Sequence, residues 1–450
     1  MEPEEITRQS AVVQIKNLIG SRSEKEIQRL LDELEPQDIA DVLESSPPVQ
    51  RTMLWELFDE SQQSEIIQHI DEDVVLSLLS DKSGEQIATV LEQTDDDDTA
   101  DILQQLPADL IQEVLEAMDA QDRSRVENLL AYPEDTAGGM MNTDTISVRP
   151  QVTLDVVLRY LRRHSELPSM TDSVFVVNST DEFVGLLPLA TLLVSNPSLT
   201  VSEMMVTKIE AIPADMSEHD VAAKFERYDL VSAPVIDQDN RLLGRITIDD
   251  VVDVIIDEAD HSILGMAGLN EDSDIFAPIV KTAKSRAIWL GANLMTAFIA
   301  ASVIDVFKDT IEKVVALAVL MPIVASMGGV AGSQTLTLFI RNMAQDELFA
   351  NNLAWLTRRE VAVGAINGCL WAFVVAVATS IFFNDIYLGL IIAAALIINL
   401  LTAALSGALL PNFLRSIGID PAIAGTVVLT TITDVVGFLS FLGLATLFYA

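Results

Sequence analysis

The sequence predicts a multidomain membrane protein: an all-α superhelical amino domain, a tandem α/β pair, a long connecting helix and a five-helix transmembrane domain. Three observations predict this fold class. Long uncharged stretches follow residue 286, acidic residues crowd the first 270 positions, and one α/β unit occurs twice between them. Each stretch reaches or nearly reaches the roughly 20 apolar residues that cross a bilayer. The stretches are 287–304, 314–340, 361–384, 386–414 and 421–450.

One carboxylate, Asp434, interrupts the last of these stretches. It is the fourteenth residue of the stretch. At about 1.5 Å per residue it lies roughly 20 Å into the helix, near the bilayer midplane. A lone carboxylate there costs several kcal/mol unless it faces water, a cation or another helix. Asp434 is therefore a candidate ligand for a permeating cation, and pairing with another polar side chain for packing is the alternative.

The acidic balance belongs almost entirely to the front of the chain. Residues 1–270 hold 55 Asp and Glu against 18 Lys and Arg, in a chain of net charge −40. Such a surface attracts cations and repels nucleic acid, so we expect no nucleic-acid partner. Lys and Arg favour cytoplasmic loops. The loops on the amino-terminal side hold 7 of them and the opposite loops hold only Lys308 and Lys313, which predicts a cytoplasmic amino half and an outside carboxyl end.

The soluble half contains two kinds of repeat. In residues 1–131 apolar side chains recur at helical spacing, as in Ile27, Leu30 and Leu34, which predicts a stack of helical hairpins. Residues 132–198 and 199–257 each contain a helix followed by two short apolar strands. The predicted strands are 174–178 and 183–187, then 233–237 and 242–247; residues 249–270 form a connecting helix before the membrane domain, 280–450.

The tandem unit resembles a pair of CBS domains, and almost the whole chain resembles the MgtE magnesium channel/transporter family. Several short motifs together carry this resemblance, and any one of them alone is weak. They are Tyr-Pro-Glu-Asp-Thr-Ala-Gly-Gly at 132–139, Met-Pro-Ile at 321–323, Gly-Gly-Val-Ala-Gly-Ser-Gln at 328–334, Asp-Pro-Ala at 420–422 and Thr-Asp at 433–434.

Polar stripes in the apolar stretches supply the candidate pore-lining residues. Thr430 and Asp434 fall on one helical face, and Asn399 begins a similar stripe in the fourth stretch. In the second stretch a proline frees a backbone carbonyl near Gly328 and Gly329. These glycines serve either the pore or close helix packing. We therefore predict that Thr430, Gly328, Gly329 and Asn399 line a pore.

Oxygen ligands define the expected ion. No cluster of Cys or His is present, and carboxylate, hydroxyl and carbonyl oxygens suit magnesium, manganese or calcium. The resemblance implies a homodimer in the bacterial inner membrane, in which two copies of Asp434 hold a hydrated Mg2+ that enters down its electrochemical gradient. It also makes Asp420 a metal-ligand candidate. No nucleophile–base pair or phosphate loop is present, so we expect no enzyme.

The resemblance further implies that cytoplasmic Mg2+ binds between acidic domains and holds the channel closed. The residues at the matching positions are Asp229, Asp250, Asp253 and Glu258, and Asp95 and Asp98 face them in the same scheme. A solvated acidic surface is the alternative for any one of these acids. His261 and Ser262 stand in the connecting helix where the family commonly carries Glu and Asp, which weakens a metal site at that helix end.

A nucleotide site is the remaining expectation for the CBS pair. CBS domains often hold adenosine phosphates with a Gly-x-x-Thr-x-x-Asp stretch. The second repeat retains Gly244, Thr247 and Asp250, whereas the first repeat has lost the equivalent positions. The loss of these positions in the first repeat argues against ATP binding. The rival functions are a carrier of Co2+ or Mn2+, a sodium-coupled exchanger, and a non-conducting CBS-based membrane receptor.

Overall fold

A computed structural model describes residues 24–79, 82–92, 94–164, 167–269, 276, 279–345 and 348–449. Residues 1–23 of the predicted amino domain and residue 270 of the predicted connecting helix lie outside the described residues. The chain divides between Ile256 and Asp257 into two units. The first unit holds the short amino helices and the two α/β repeats, and the second holds the five long apolar helices.

Short helices form the amino part of the first unit, which confirms the all-α prediction. Their apolar faces meet in one core that buries Leu43, Trp55 and Leu79. Side-chain caps fix where several helices begin: the Asp59 carboxylate accepts the backbone N–H of Gln62 at 2.9 Å. The helices are Glu24–Leu31, Pro36–Glu44, Pro48–Trp55, Glu60–Ile67, Glu72–Leu79, Gly84–Val90, Asp96–Gln104, Ala108–Ala117 and Ala120–Leu129.

The tandem α/β unit is two three-stranded sheets of the same topology. In each sheet the first strand runs parallel to the second, and the second runs antiparallel to the third. The strands are β1 (Ser147–Val148), β2 (Ser173–Val177), β3 (Phe183–Pro188), β4 (Ile212–Pro213), β5 (Ser232–Ile236) and β6 (Leu242–Thr247). The accompanying helices are Leu154–Leu161, Leu189–Val194, Val201–Met204 and Glu218–Tyr228.

The second repeat shares its hydrophobic core with the amino helices. Val235 and Ile246 belong to the same buried cluster as Leu103, whereas the first repeat has a core of its own. The segment that follows the amino helices also pairs with β6, because Asn142 and Arg245 exchange backbone N–H···O bonds of 2.8 and 2.9 Å. The amino helices and the second repeat therefore meet through a packed apolar interface.

The connecting helix is Ile248–Met266. It ends four residues before the predicted boundary because Gly268 adopts a left-handed conformation, with φ of +71°. The N–H groups of Gly268 and Leu269 return to carbonyls of Gly265 and Leu264 at 2.8 and 2.9 Å, which closes the helix end.

Within the described residues, five helices are long and apolar enough to cross a membrane. We call them the first to fifth spans, and the fourth is the most buried of them. Pro322 lies inside the second span and Pro411 inside the fourth. The spans are the helices Ile279–Val306, Ala316–Gln345, Leu348–Phe383, Ile386–Ser416 and Pro421–Tyr449, with a short helix, Lys308–Lys313, after the first.

Candidate functional site

A shallow groove of about 770 Å3 runs between the second and fifth spans and is broadly open. The fifth span contributes Thr430 and Asp434, and the second contributes small and hydroxyl-bearing residues at helical spacing. The groove thus presents oxygen ligands on an otherwise apolar helix pair. Its lining residues are Ala325, Ser326, Gly329, Val330, Ser333, Gln334, Thr337, Thr430 and Asp434.

Asp434 is the one carboxylate of the groove. Its side chain is half-buried, and no described Lys, Arg or His side chain forms an ion pair with it. The Thr430 hydroxyl one turn earlier donates to carbonyls of its own helix, Thr426 and Val427, at 3.0 Å each. Its oxygen lone pairs are therefore available toward the groove, where a hydrated cation would find a carboxylate, hydroxyls and an amide.

The structure brings only some of the predicted pore residues to the groove. Thr430, Gly329 and Asp434 line it. Gly328 and Asn399 instead lie behind the groove wall, where Asn399 is fully buried and a Cβ on Gly328 would overlap its amide. The periodicity of the fourth span correctly marks a polar stripe, but neighbouring helices cover the stripe at Asn399. In this chain Gly328 and Asn399 pack between helices and do not line the groove.

A second group of carboxylates gathers where the amino helices meet the second α/β repeat. We call Asp95, Asp97, Asp249, Asp250 and Asp253 the acidic junction. Asp97 is 5 % exposed, and its Oδ1 has no hydrogen-bond partner among the described residues. Asp250 accepts bonds from the N–H and hydroxyl of Thr247 at 3.2 and 3.0 Å. The junction joins the helix Asp96–Gln104 to the first turns of the connecting helix.

Burial and mutual repulsion disfavour the charged forms of these acids. Desolvation, followed by repulsion from Asp249, raises the pKa of Asp250 to about 6. Burial, followed by repulsion from neighbouring carboxylates, raises the pKa of Asp97 well above its ordinary value. The pKa values of Asp95 and Asp253 are raised for the same two reasons. Charge-neutralising ions or protons would therefore stabilise this interface.

The other predicted metal ligands are distributed elsewhere. Asp98 follows Asp97 and adds to its repulsion, whereas Asp229 is exposed in a left-handed conformation at the end of the helix Glu218–Tyr228. Glu258 belongs to the other unit. Across the described residues, three or more His, Cys, Asp or Glu side chains nowhere converge closely enough to hold a metal ion by themselves. Any bound ion would thus keep waters or use a second chain.

Asp420 has protein partners in this structure. Its Oδ2 lies 2.5 Å from Nε2 of His261, and its Oδ1 accepts the N–H of Ala422 at 2.6 Å. Sequence reasoning treated His261 as a departure that weakens a metal site and missed this contact. The two residues are 159 positions apart, so no local pattern announces it.

Of the predicted nucleotide residues, Thr247 and Asp250 lie together at the turn from β6 into the connecting helix, whereas Gly244 lies within β6. Gly244 packs so closely on Asn142 that a Cβ would approach its carbonyl oxygen to 2.7 Å. The Thr247 hydroxyl bonds to Asp249 and Asp250. The hydroxyl and carboxylate expected to hold a ribose are therefore engaged with each other and with the acidic junction.

The remaining groove residues were not singled out from the sequence as pore-lining. Ser326, Val330, Ser333 and Thr337 recur every three or four residues, so the helical period that identified Thr430 and Asp434 also identifies them once the facing helix is known. Two apolar residues, Ala325 and Val330, interrupt this polar face, and Val330 stands where the family resemblance leads one to expect a pore-side amide.

The soluble repeats, connecting helix and apolar spans define a multi-pass membrane protein with a large soluble front half. Comparison with known families matches residues 321–444 to a divalent cation transporter domain, MgtE, residues 34–135 to the MgtE intracellular N domain, and residues 137–195 and 201–257 to CBS domains. These matches confirm the predicted order of parts.

Full-length relatives give the same result. The chain is 31% identical over 335 residues, 74% of each chain, to the magnesium transporter MgtE of Thermus thermophilus. It is 28% identical over 443 residues, 98% of each chain, to that of Bacillus subtilis. A similar solved structure is the cytosolic domain of the Mg2+ channel MgtE in complex with ATP, at 29% identity and a TM-score of 0.49, covering 54% of this chain and 99% of that one. The chain belongs to the MgtE family.

Proposed function

We propose that this chain is a magnesium channel that admits Mg2+ down its electrochemical gradient. Its relatives are named magnesium transporters, and the groove that places Asp434 beside hydroxyl and amide side chains is the observation that supports a pathway in this chain. Mg2+ dehydrates reluctantly, so a site with one carboxylate and several hydroxyl and amide groups suits an ion that keeps its waters. The chain carries an ion rather than catalysing a reaction.

A homodimer completes the pathway in this proposal. The groove is open, so one chain encloses only part of an ion pathway. A two-fold axis along the open side turns Asp434 into a pair of facing carboxylates. Two negative charges around a hydrated dication balance it, whereas one chain alone leaves it exposed to lipid. The dimer lies in the bacterial inner membrane, with the amino half cytosolic and the carboxyl end outside.

The membrane potential supplies the driving force. It contributes about 2.3 kcal/mol per charge per 100 mV, so roughly 4.6 kcal/mol for a dication entering an interior-negative cell. Entry therefore needs no coupled ATP hydrolysis.

Cytosolic Mg2+ closes the channel through the acidic junction. Buried carboxylates that repel one another, such as Asp97 and Asp250, favour a cation between them. Binding there stabilises the packed arrangement of amino helices and second repeat, and loss of the ion loosens it. The connecting helix begins inside the junction, so the same helix carries the change toward the spans.

Nucleotide binding is a second candidate function of the soluble half. A relative's cytosolic domain has been solved with ATP, and Thr247 and Asp250 lie together at the end of β6, the strand that contains Gly244. Because Asp250 belongs to the acidic junction, nucleotide and Mg2+ would act at neighbouring points. Titration of ATP against wild type and Thr247→Ala tests this role.

Substitution of the groove carboxylate tests the permeation pathway. Asp434→Ala should abolish Mg2+ uptake into proteoliposomes while the protein remains a folded dimer by size-exclusion chromatography. Asp309→Ala, an exposed carboxylate between the first two spans, is the matched control and should transport normally. Normal uptake by Asp434→Ala would refute the pathway. Competition by Co2+ and Mn2+, and imposed sodium gradients, separate the magnesium channel from the rival carriers and from a receptor that conducts nothing.

A further inference from the structure

We propose that Asn399 is a positioning residue that sets the width of the groove at Asp434 and thereby the size of ion that passes. The proposal rests on the proposed function of the groove. Asn399 lies in the fourth span, which contributes no residue to the groove lining. Any influence of Asn399 on permeation must therefore act through the helices that it holds.

The Asn399 side chain ties the fourth span to the second. It is fully buried, and its Nδ2 donates to the carbonyl oxygen of Val324 at 2.8 Å. Within the described residues its Oδ1 has no hydrogen-bond partner. A buried amide that satisfies only one of its groups costs stability compared with an apolar side chain of the same shape. Its presence at this point indicates a role other than stability.

Two glycines enclose this amide from opposite helices. A Cβ on Gly328 of the second span would overlap the Asn399 amide, and a Cβ on Gly437 of the fifth span would come within 2.8 Å of its Nδ2. A Gly437 Cβ would also approach the Val324 side chain to 3.2 Å. Bare backbone is therefore required on both sides, and the amide acts as a spacer between the second and fifth spans.

The spacer lies at the level of the groove carboxylate. Gly437 follows Asp434 by three residues, about 4.5 Å along the helix axis. On the second span, Gly329 and Ala325 line the groove. Each directly follows a residue that contacts the Asn399 amide, Gly328 and Val324 respectively. The amide thus fixes the separation and rotation of both groove walls where Asp434 faces the ion, and a thicker or thinner spacer moves the carboxylate relative to the opposite wall.

The test inserts a methyl group against the spacer and then makes room for it. Gly437→Ala should lower Mg2+ uptake by the full-length protein in proteoliposomes by about tenfold or more, because displacements of about 1 Å at a reacting or binding centre have effects of that order. Asn399→Ala added to Gly437→Ala should restore most of the uptake. Gly443→Ala is the matched control on the same span, because a Cβ there would have its nearest contact at 3.9 Å, and it should transport as wild type does.

Ion preference distinguishes positioning from simple stability. Asn399→Ala alone should raise the ratio of Ca2+ to Mg2+ flux several-fold in molecules that remain folded dimers. An unchanged ratio, or equal uptake by Gly437→Ala and Gly443→Ala, would overturn the proposal. Where Asn399→Ala yields no folded dimer, Asn399→Ser and the two glycine variants decide the question. Full Mg2+ uptake by Asp434→Ala would instead reject the permeation pathway. If Asp434→Ala is inactive but the Asn399 variants keep the wild-type ratio of Ca2+ to Mg2+ flux, only the positioning role of Asn399 is rejected.

Discussion

His261 and Asp420 form a direct contact of 2.5 Å between the connecting helix and the start of the fifth span. The same carboxylate caps that span through the N–H of Ala422. Around this pair, Gly265 packs on Ile423, and the hydroxyl of Thr337, a groove residue, lies 3.5 Å from the sulfur of Met266. The carboxyl end of the connecting helix is thus docked on the groove-forming helices by the protein's own side chains.

Removal of the imidazole should loosen this docked state. His261→Ala removes one charge-assisted hydrogen bond, worth about 1 kcal/mol for a pair about one-third exposed, which corresponds to roughly a fivefold rise in the ratio of open to closed channels. Patch recordings at millimolar Mg2+ measure that ratio. His261→Gln retains a hydrogen-bond donor, so its open probability should lie between those of wild type and His261→Ala. Ser262→Ala should behave as wild type. Equal open probabilities for His261→Ala and wild type would mean that the contact does not hold the gate.

Acid should stabilise the soluble unit when divalent ions are removed. The pKa of Asp250 is about 6 in the folded protein and 3.8 in the ordinary unfolded reference, so the folded state binds the proton more tightly. The free energy of unfolding therefore rises as the pH falls through 6 toward 3.8, the pKa of Asp250 in the unfolded chain. The expected gain is about 1 kcal/mol between about pH 7.5 and about pH 5.5. Protonation of Asp97 acts in the same direction.

Thermal unfolding in EDTA measures this dependence. Asp250→Asn should be more stable than wild type at neutral pH and should show a smaller pH response, with the remainder due to Asp97 and its neighbours. Added Mg2+ should stabilise wild type more at neutral pH than in acid, because protons and metal compete for the same carboxylates. A wild-type protein that becomes less stable on acidification in EDTA would contradict the repulsion inferred for the acidic junction.

Sequence periodicity identified the spans, the two α/β repeats and the polar face of the fifth span, because each is a local pattern of one helix or strand. It could not decide which way Asn399 faces. A polar stripe has the same spacing whether it borders a groove or a neighbouring helix, and only the glycines at 328 and 437 reveal the difference. The His261–Asp420 contact likewise depends on how the connecting helix docks, which no local pattern encodes.

Close packing of the second and fourth spans should make Gly407 intolerant of a side chain. A Cβ at Gly407 would approach the Gly332 carbonyl oxygen to 2.8 Å and the Thr335 Cβ to 2.9 Å. Gly407→Ala should therefore destabilise the purified protein by about 1–3 kcal/mol through overpacking. The matched control is Gly291→Ala in the first span, where a Cβ would have no neighbour within 4 Å. Similar melting temperatures for the two variants would show that the helices move apart without strain.

Removal of the amino helices should weaken closure by cytosolic Mg2+. Deletion of residues 1–130 removes Asp95 and Asp97 from the acidic junction, so open probability at millimolar Mg2+ should rise in patch recordings. The deletion also exposes the core that the second repeat shares with these helices. Asp95→Asn with Asp97→Asn therefore serves as the matched variant, because it keeps that core and removes two carboxylates. Both proteins should need more Mg2+ to close, by about tenfold if 1.4 kcal/mol of ion binding is lost. Closure at wild-type Mg2+ concentrations in both would place the sensor outside the acidic junction.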